Sequence, residues 1–198
     1  EFKLALKCCL RLIKKNKENA LLYRIAGKSC ADLGNSHEAI DYFRRAISID
    51  QTMGELHAEL GTEFQNIGEI EEAEKELKRA ILLSPELLAA HINLGSVQTK
   101  LKKLEDAEQS YKKAIGVNPT FAISYSNLST VYMEMDRFPD AAEACQKALE
   151  LTPEFAEAHH NMGNIYRHYG QIKKASESYR RSVELRPNNA QAWRNLGA

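Results

Sequence analysis

Residues 156–189 read AEAHHNMGNIYRHYGQIKKASESYRRSVELRPNN, and this stretch decides the fold because its pattern recurs along the whole chain. With Ala156 as position 1, Gly stands at positions 8 and 15, Ala at position 20 and Pro at position 32. Steps of 34 residues return a small residue at position 8 in six places and Ala at position 20 in six, without an insertion. A fixed period of this length predicts an array of similar supersecondary units.

Each unit is predicted to be a helix-turn-helix hairpin. Positions 4, 7, 8 and 11 are mostly apolar, aromatic or small, and at about 100° per residue they share one helix face. Gly at position 8 disfavours a helix by up to about 1 kcal/mol, so its recurrence predicts that a second backbone approaches there. The small residues at positions 20 and 27 are expected to provide that approach. Gly at position 15 marks the turn, and Pro at position 32 ends the unit.

These slots resemble the tetratricopeptide repeat (TPR) family over essentially all 198 residues. The family's large slot at position 4 is occupied here by Tyr23, His57, His91, Tyr125, His159 and Trp193. The resemblance implies an all-α fold, a right-handed superhelical solenoid of stacked helix-turn-helix TPR hairpins. The sequence departs from the family pattern at Gln51, which replaces Pro, at Ser129, which replaces Gly, and at Lys102 and Asp136, which replace the turn Gly.

The predicted organisation is a single TPR array over residues 1–198. Residues 1–19 match the second helix of an incomplete repeat, and residues 190–198 match the start of a further one. The complete repeats between them are predicted at 20–53, 54–87, 88–121, 122–155 and 156–189. We therefore expect the array to be part of a longer protein.

Composition and motifs argue against chemistry in this region. The chain has 27 Lys plus Arg and 27 Asp plus Glu, so net charge favours neither nucleic acid nor an anionic membrane. The sequence contains no nucleotide-binding, zinc-protease or calcium motif. His57, His91 and His159 share position 4 and are expected to fill space between helices rather than bind metal. We therefore expect no enzymatic activity in this region, no cofactor, no metal site, and no nucleic-acid or membrane partner.

The pattern of cysteines indicates the cellular compartment in which the protein resides. Cys8, Cys9, Cys30 and Cys145 form no C-x-x-C pair, and the adjacent Cys8 and Cys9 point in different directions on a helix. They are predicted to be reduced thiols in a protein of cytoplasmic localisation.

The resemblance implies a peptide-binding groove lined by the first helices of the repeats. Positions 2, 6, 9 and 13 lie roughly opposite the packed stripe. Position 6 repeats Asn, whose amide offers one acceptor and two donors, so the Asn row is predicted to pair with the backbone of an extended peptide. The row is similar to that of the superhelical TPR array of O-GlcNAc transferase. The predicted peptide-binding residues are Asn93, Asn127, Asn161, Asn195, Asn164, His160, Arg167, Ser96, Thr130 and Lys28.

The predicted function is a protein–protein interaction scaffold that binds an extended, unidentified peptide or protein segment in this groove. One alternative is the substrate-targeting region of a larger enzyme, such as an O-GlcNAc-transferase-like glycosyltransferase. Another is a scaffold that self-associates through exposed array ends. A family subgroup clamps terminal carboxylates, but here Glu59 follows Arg24 and Lys28, and its charge disfavours that role. Changing Asn127 and Asn161 together to Ala is expected to leave folding intact and weaken peptide binding.

Overall fold

The structure, a computed structural model, describes residues 2–188 and 190–197, and within them every regular element is a helix. One compact unit, Glu1–Lys102, contains α1 Phe2–Ile13, α2 Ala20–Asp32, α3 Ser36–Ile49, α4 Gly54–Ile67, α5 Ile70–Leu83 and α6 Leu88–Lys100. The other, Lys103–Ala198, contains α7 Leu104–Val117, α8 Ala122–Glu134, α9 Phe138–Leu151, α10 Ala156–His168, α11 Ile172–Leu185 and α12 Ala190–Leu196. The predicted boundaries at residues 1, 189 and 198 lie outside the described residues.

Within each unit, consecutive helices pack against each other as hairpins. The most extensive pairs are α2 with α3, α4 with α5, α8 with α9, and α10 with α11. The predicted fold class, all-α with stacked helix-turn-helix hairpins, is confirmed. The Pro residues at position 32 each stand two residues beyond the end of a second helix. Pro139 lies in the first turn of α9, where its missing N–H is tolerated.

The glycines at position 8 lie where the second helix of the hairpin leaves no room for a side chain. A methyl group at Gly61 would stand 2.8 Å from Leu77 Cγ and 3.2 Å from the backbone oxygen of Ala73. At Gly163 it would stand 2.5 Å from Tyr179 Cε1. The predicted close approach is confirmed, but its expected partners are only partly right. The glycine receives the large side chain at position 24, and Ala73 at position 20 contributes its backbone.

The turn residue at position 15 adopts a left-handed conformation whether or not it is Gly. The φ angle is 88° at Gly68, and it is 58° at both Lys102 and Asp136, which replace Gly. After this residue the chain closes back on the first helix, since the Arg137 N–H donates to the Tyr132 carbonyl at 2.8 Å. This is the pattern of a Schellman cap. The hairpin therefore imposes the conformation on residues that do not prefer it.

Replacing Asp136 with Gly is expected to raise the free energy of unfolding by about 0.5–1 kcal/mol. A left-handed conformation disfavours a residue with a Cβ by about 1–2 kcal/mol, and the greater unfolded-state freedom of Gly offsets part of that gain. Urea denaturation measures the change. The control is Gly170→Ala, which places a Cβ at a φ of 70° and should be destabilising. A destabilised Asp136→Gly protein would contradict this explanation of the turn.

Side chains at position 4 donate hydrogen bonds to the carbonyl at position 32 of the preceding repeat. The four contacts are His91 Nε2 to Pro85 at 2.7 Å, Tyr125 OH to Pro119 at 3.2 Å, His159 Nε2 to Pro153 at 2.9 Å and Trp193 Nε1 to Pro187 at 2.8 Å. Because a carbonyl oxygen only accepts, both histidines carry their proton on Nε2. His57 instead contacts Glu76, with Nδ1 2.6 Å from Oε2. In these four repeats the slot therefore holds a large side chain that also donates a hydrogen bond, a role that the interpretation as a space filler had missed.

Candidate peptide-binding surface

Polar side chains at positions 6 and 9 connect the first helices of neighbouring repeats within each unit. A side chain at position 6 contacts the side chain at position 9 of the preceding repeat, 31 residues earlier. We refer to these pairs as the 6–9 ladder. Its members are Lys28, Glu59, Thr62 and Asn93 in the first unit, and Thr130, Asn161, Asn164 and Asn195 in the second.

In the first unit the ladder begins with a charged cluster. Arg24 makes a two-pronged contact with Glu59, with Nη2 2.8 Å from Oε1 and Nε 3.0 Å from Oε2. Lys28 Nζ lies 3.5 Å from the same carboxylate. The hydrogen bond with Glu59 raises the pKa of Arg24. Glu59 therefore already neutralises part of the positive charge that a ligand carboxylate would need. This agrees with the expectation that the first repeats do not form a carboxylate clamp.

Asn93 and Asn161 use their amide donors inside the protein. Asn93 Nδ2 donates to Thr62 Oγ1 at 2.9 Å. Asn161 Nδ2 lies 3.1 Å from both the Ser126 carbonyl and Thr130 Oγ1. Asn161 is also only 8% exposed. The sequence placed position 6 opposite the packed stripe, but at Asn161 this position is buried as well, because neighbouring first helices lie close enough to cover it.

The remaining predicted binding residues differ in exposure. Ser96, Asn127, Thr130, Asn164 and Asn195 are half-buried on the first helices. Lys28 and Arg167 are exposed.

His160, another predicted binding residue, is half-buried and packs beside Tyr179, with 5.6 Å between ring centroids. Its Nδ1 is buried and has no hydrogen-bond partner among the described residues. Burial and the nearby Arg167 charge lower the pKa of His160. A neutral His160 therefore contributes a ring surface to this part of α10 rather than a positive charge.

Three of the predicted residues line one cavity in the second unit. Thr130 on α8 and Asn164 and Arg167 on α10 line an open space of about 460 Å³. Sequence reasoning missed the rest of the lining, which comprises Met133, Glu134, Phe138 and His168. Glu134 and His168 occupy position 13, which helical periodicity had placed on this face. The sequence pattern could therefore have identified these two residues. Phe138 begins α9, and only the tertiary structure brings it here.

Among the described residues, no group of His, Cys, Asp and Glu side chains is arranged to hold a metal ion. None of the described helices combines the length and apolar composition needed to cross a membrane.

Comparisons with known proteins show what this chain resembles in sequence and in fold. Family models described as tetratricopeptide repeat match residues 20–53, 54–87, 89–121 and 120–188. A search of curated protein sequences gave no significant match.

Solved structures with a similar fold include the crystal structure of MamA, at 25% identity and a TM-score of 0.72, covering 83% of this chain and 96% of that one. YrrB, described as a TPR protein with an unusual peptide-binding site, has 18% identity and a TM-score of 0.74, covering 96% and 98%. A chain of the APC/C hetero-tetramer Cut9–Hcn1 has 19% identity and a TM-score of 0.86, covering 99% of this chain and 39% of that chain.

Proposed function

Because the chain belongs to the tetratricopeptide repeat family, we propose that the first helices of its repeats bind an extended peptide or protein segment. Proteins of this family generally bind protein or peptide partners, and the chain is a protein–protein interaction scaffold. Tetratricopeptide repeats are typically non-catalytic. The partner we propose is a protein segment rather than nucleic acid or a membrane, since the formal net charge is zero and gives no general attraction to either.

The 6–9 ladder is the observation that carries the proposal. The amide donors at its position 6, those of Asn93, Asn161 and Asn195, are engaged between helices, which fixes the orientation of these amides. Among the described residues, no donor reaches Oδ1 of Asn93 or Asn161, so these carbonyl oxygens stay available. An extended peptide presents a backbone N–H at every residue other than Pro. The ladder therefore offers acceptors to a peptide backbone, whereas the sequence suggested that each amide would both donate and accept.

The cysteines and the repeat boundaries support two smaller proposals. Cys8, Cys9, Cys30 and Cys145 are free thiols, and burial raises the pKa of Cys30 to about 11 and that of Cys145 to about 12. Buried, protonated thiols suit a reducing compartment, so we place the chain in the cytoplasm. We also propose that residues 1–198 act as a single array with the repeat boundaries given above.

The test is selection of a random-peptide phage library on the wild-type chain, followed by affinity measurements on variants. Asn127→Ala removes an amide from a first helix and is expected to weaken the selected peptides several-fold. Gln109→Ala removes an exposed amide from the second helix α7 and is the matched control, which should leave affinity unchanged. If wild type selects no peptide, or if both variants bind equally well, the proposal is wrong.

Asn161→Ala requires a separate control for folding. Its amide is buried between helices, so its removal is now expected to lower stability by about 1 kcal/mol or more. This differs from the expectation that the double change leaves folding intact. Binding by this variant is therefore measured only at a temperature where its circular dichroism matches that of wild type.

A further inference from the structure

We propose that the cavity between α8 and α10 recognises a single acidic side chain that stands beside an apolar residue in the bound segment. We refer to it as the α8–α10 pocket, lined chiefly by Thr130, Met133, Phe138, Asn164, Arg167 and His168. The inference rests on the proposed function, because it assumes that a peptide lies along the first helices. It adds the chemical class of the residue that this part of the surface selects.

The pocket has the size and mixed lining of a side-chain binding site. Its volume is about 460 Å³, within the roughly 300–1,000 Å³ typical of ligand pockets. It lies entirely in the second unit, at the carboxyl-terminal ends of α8 and α10. Thr130 and Asn164 are also ladder members, so a peptide that follows the ladder passes over the pocket.

Arg167 supplies a positive charge to the pocket. It is exposed, and among the described residues no carboxylate forms an ion pair with it. Its guanidinium carbon stands 6.0 Å from the centroid of the Tyr179 ring, which limits how the side chain can move. Arg24 in the first unit, by contrast, is paired with Glu59. Of these two first-helix arginines, Arg167 is the one available to a ligand carboxylate.

Asn164 supplies oriented donors beside this cation. Its Oδ1 accepts hydrogen bonds from Tyr179 OH at 2.8 Å and from Asn195 Nδ2 at 3.2 Å. These two bonds fix the amide so that Nδ2 points away from both partners. No acceptor among the described residues takes the Nδ2 hydrogens. A carboxylate has two oxygens that only accept, so it can bind the guanidinium and the amide together.

The opposite wall of the pocket is apolar. Phe138 stacks on His168 with 3.4 Å between ring centroids and an interplanar angle of 9°, and Tyr169 meets His168 edge-on at 5.2 Å. Met133 completes this wall, and its flexible thioether adapts to varied side chains. A residue next to the acidic one in an extended peptide therefore finds an apolar contact surface.

The pocket offers one arginine to a ligand carboxylate. Glu134 also lines it, but Glu134 already has an interaction partner within the protein. Arg167 can therefore hold one acidic residue on the α10 side, and among the described residues no second Lys or Arg lines the pocket to hold another. This distinguishes the proposed ligand from a generally acidic segment.

The experiment uses the same library, displayed so that the carboxyl end of each peptide is fused to the phage and no free terminal carboxylate is present. Peptides selected by wild type are expected to be enriched in one Asp or Glu next to an aliphatic or aromatic residue. Arg167→Gln should bind them at least about tenfold more weakly, the range for losing a hydrogen bond to a charged group. Arg180→Gln removes an exposed charge from α11 and should have no effect.

A second arm changes the peptide instead of the protein. Replacing its acidic residue by Asn or Gln should weaken binding to wild type but not binding to Arg167→Gln, because the two changes remove the same contact. Arg167 also stands in the last turn of α10, where a cation stabilises the helix end. Melting curves of each variant therefore accompany the binding data, and the peptide arm is independent of any such effect.

Selected peptides without acidic enrichment, or equal losses in both proteins, would overturn the inference while leaving the proposed function standing. Failure of wild type to select any peptide would overturn both.

Discussion

Replacing Leu77 with Ala is expected to lower the free energy of unfolding by about 2–5 kcal/mol, the range for truncating a buried Leu. Leu77 is fully buried on α5, and its Cγ faces the space above Gly61 on α4. The backbones of the two helices are held in place by the rest of the hairpin, so the cavity left by Ala cannot collapse fully. Urea denaturation followed by circular dichroism measures the change.

The matching variant, Gly61→Ala, tests the same contact from the other helix. Its new methyl group would stand 2.8 Å from Leu77 Cγ, so the variant alone should also be destabilised, since overpacking costs roughly 1–3 kcal/mol. In the double variant the methyl group enters the cavity that Leu77→Ala creates. Its loss should therefore be smaller than the sum of the two single losses. Strictly additive losses would show that Gly61 and Leu77 do not share one space.

Replacing Glu108 with Ala is expected to have the second-largest effect, a loss of about 2–3 kcal/mol. Glu108 on α7 is only 7% exposed. It accepts a hydrogen bond from Tyr132 OH at 3.2 Å and lies 2.9 Å from Arg137 Nη1 and 2.7 Å from Lys112 Nζ. Breaking a buried ion pair costs about 3–5 kcal/mol, and the loss here should be smaller because Lys112 and Arg137 can reach water. Glu143→Ala, at an exposed acid on α9, is the control.

The pH dependence of stability provides a second measurement on Glu108. Burial alone would raise its pKa, but the hydrogen bond and charge of Lys112, with the charge of Arg137, outweigh burial and lower the pKa below its ordinary value of 4.5. A lowered folded pKa means that the stabilisation is complete above the ordinary value and is lost as the pH falls through the folded one. Stability of Glu108→Gln should therefore depend less on pH below 4.5. Identical acid profiles for wild type and Glu108→Gln would contradict the ion cluster.

Much of the fold could be predicted because it depends on local periodicity. The 34-residue step and the helical angle of about 100° per residue assign residues to a face and to a turn. This periodicity predicted the hairpins, the close approach at Gly61 and the turn at Asp136. They could not identify Leu77 as the partner of Gly61, because the axial offset between two helices depends on how whole side chains interdigitate.

Sequence periodicity was enough to predict that this chain is a repeat array of helix hairpins, where the turn of each hairpin falls, and which residue types occupy the face of the first helices. What those residues contact depends on how the helices pack together. Asn161 is buried because the neighbouring helix comes close to it. Arg24 forms an ion pair with Glu59, whereas Arg167 forms none with a carboxylate among the described residues. Periodicity fixes angles around one helix axis. Hydrogen bonds and ion pairs depend on distances between helices, which only the packed repeats set.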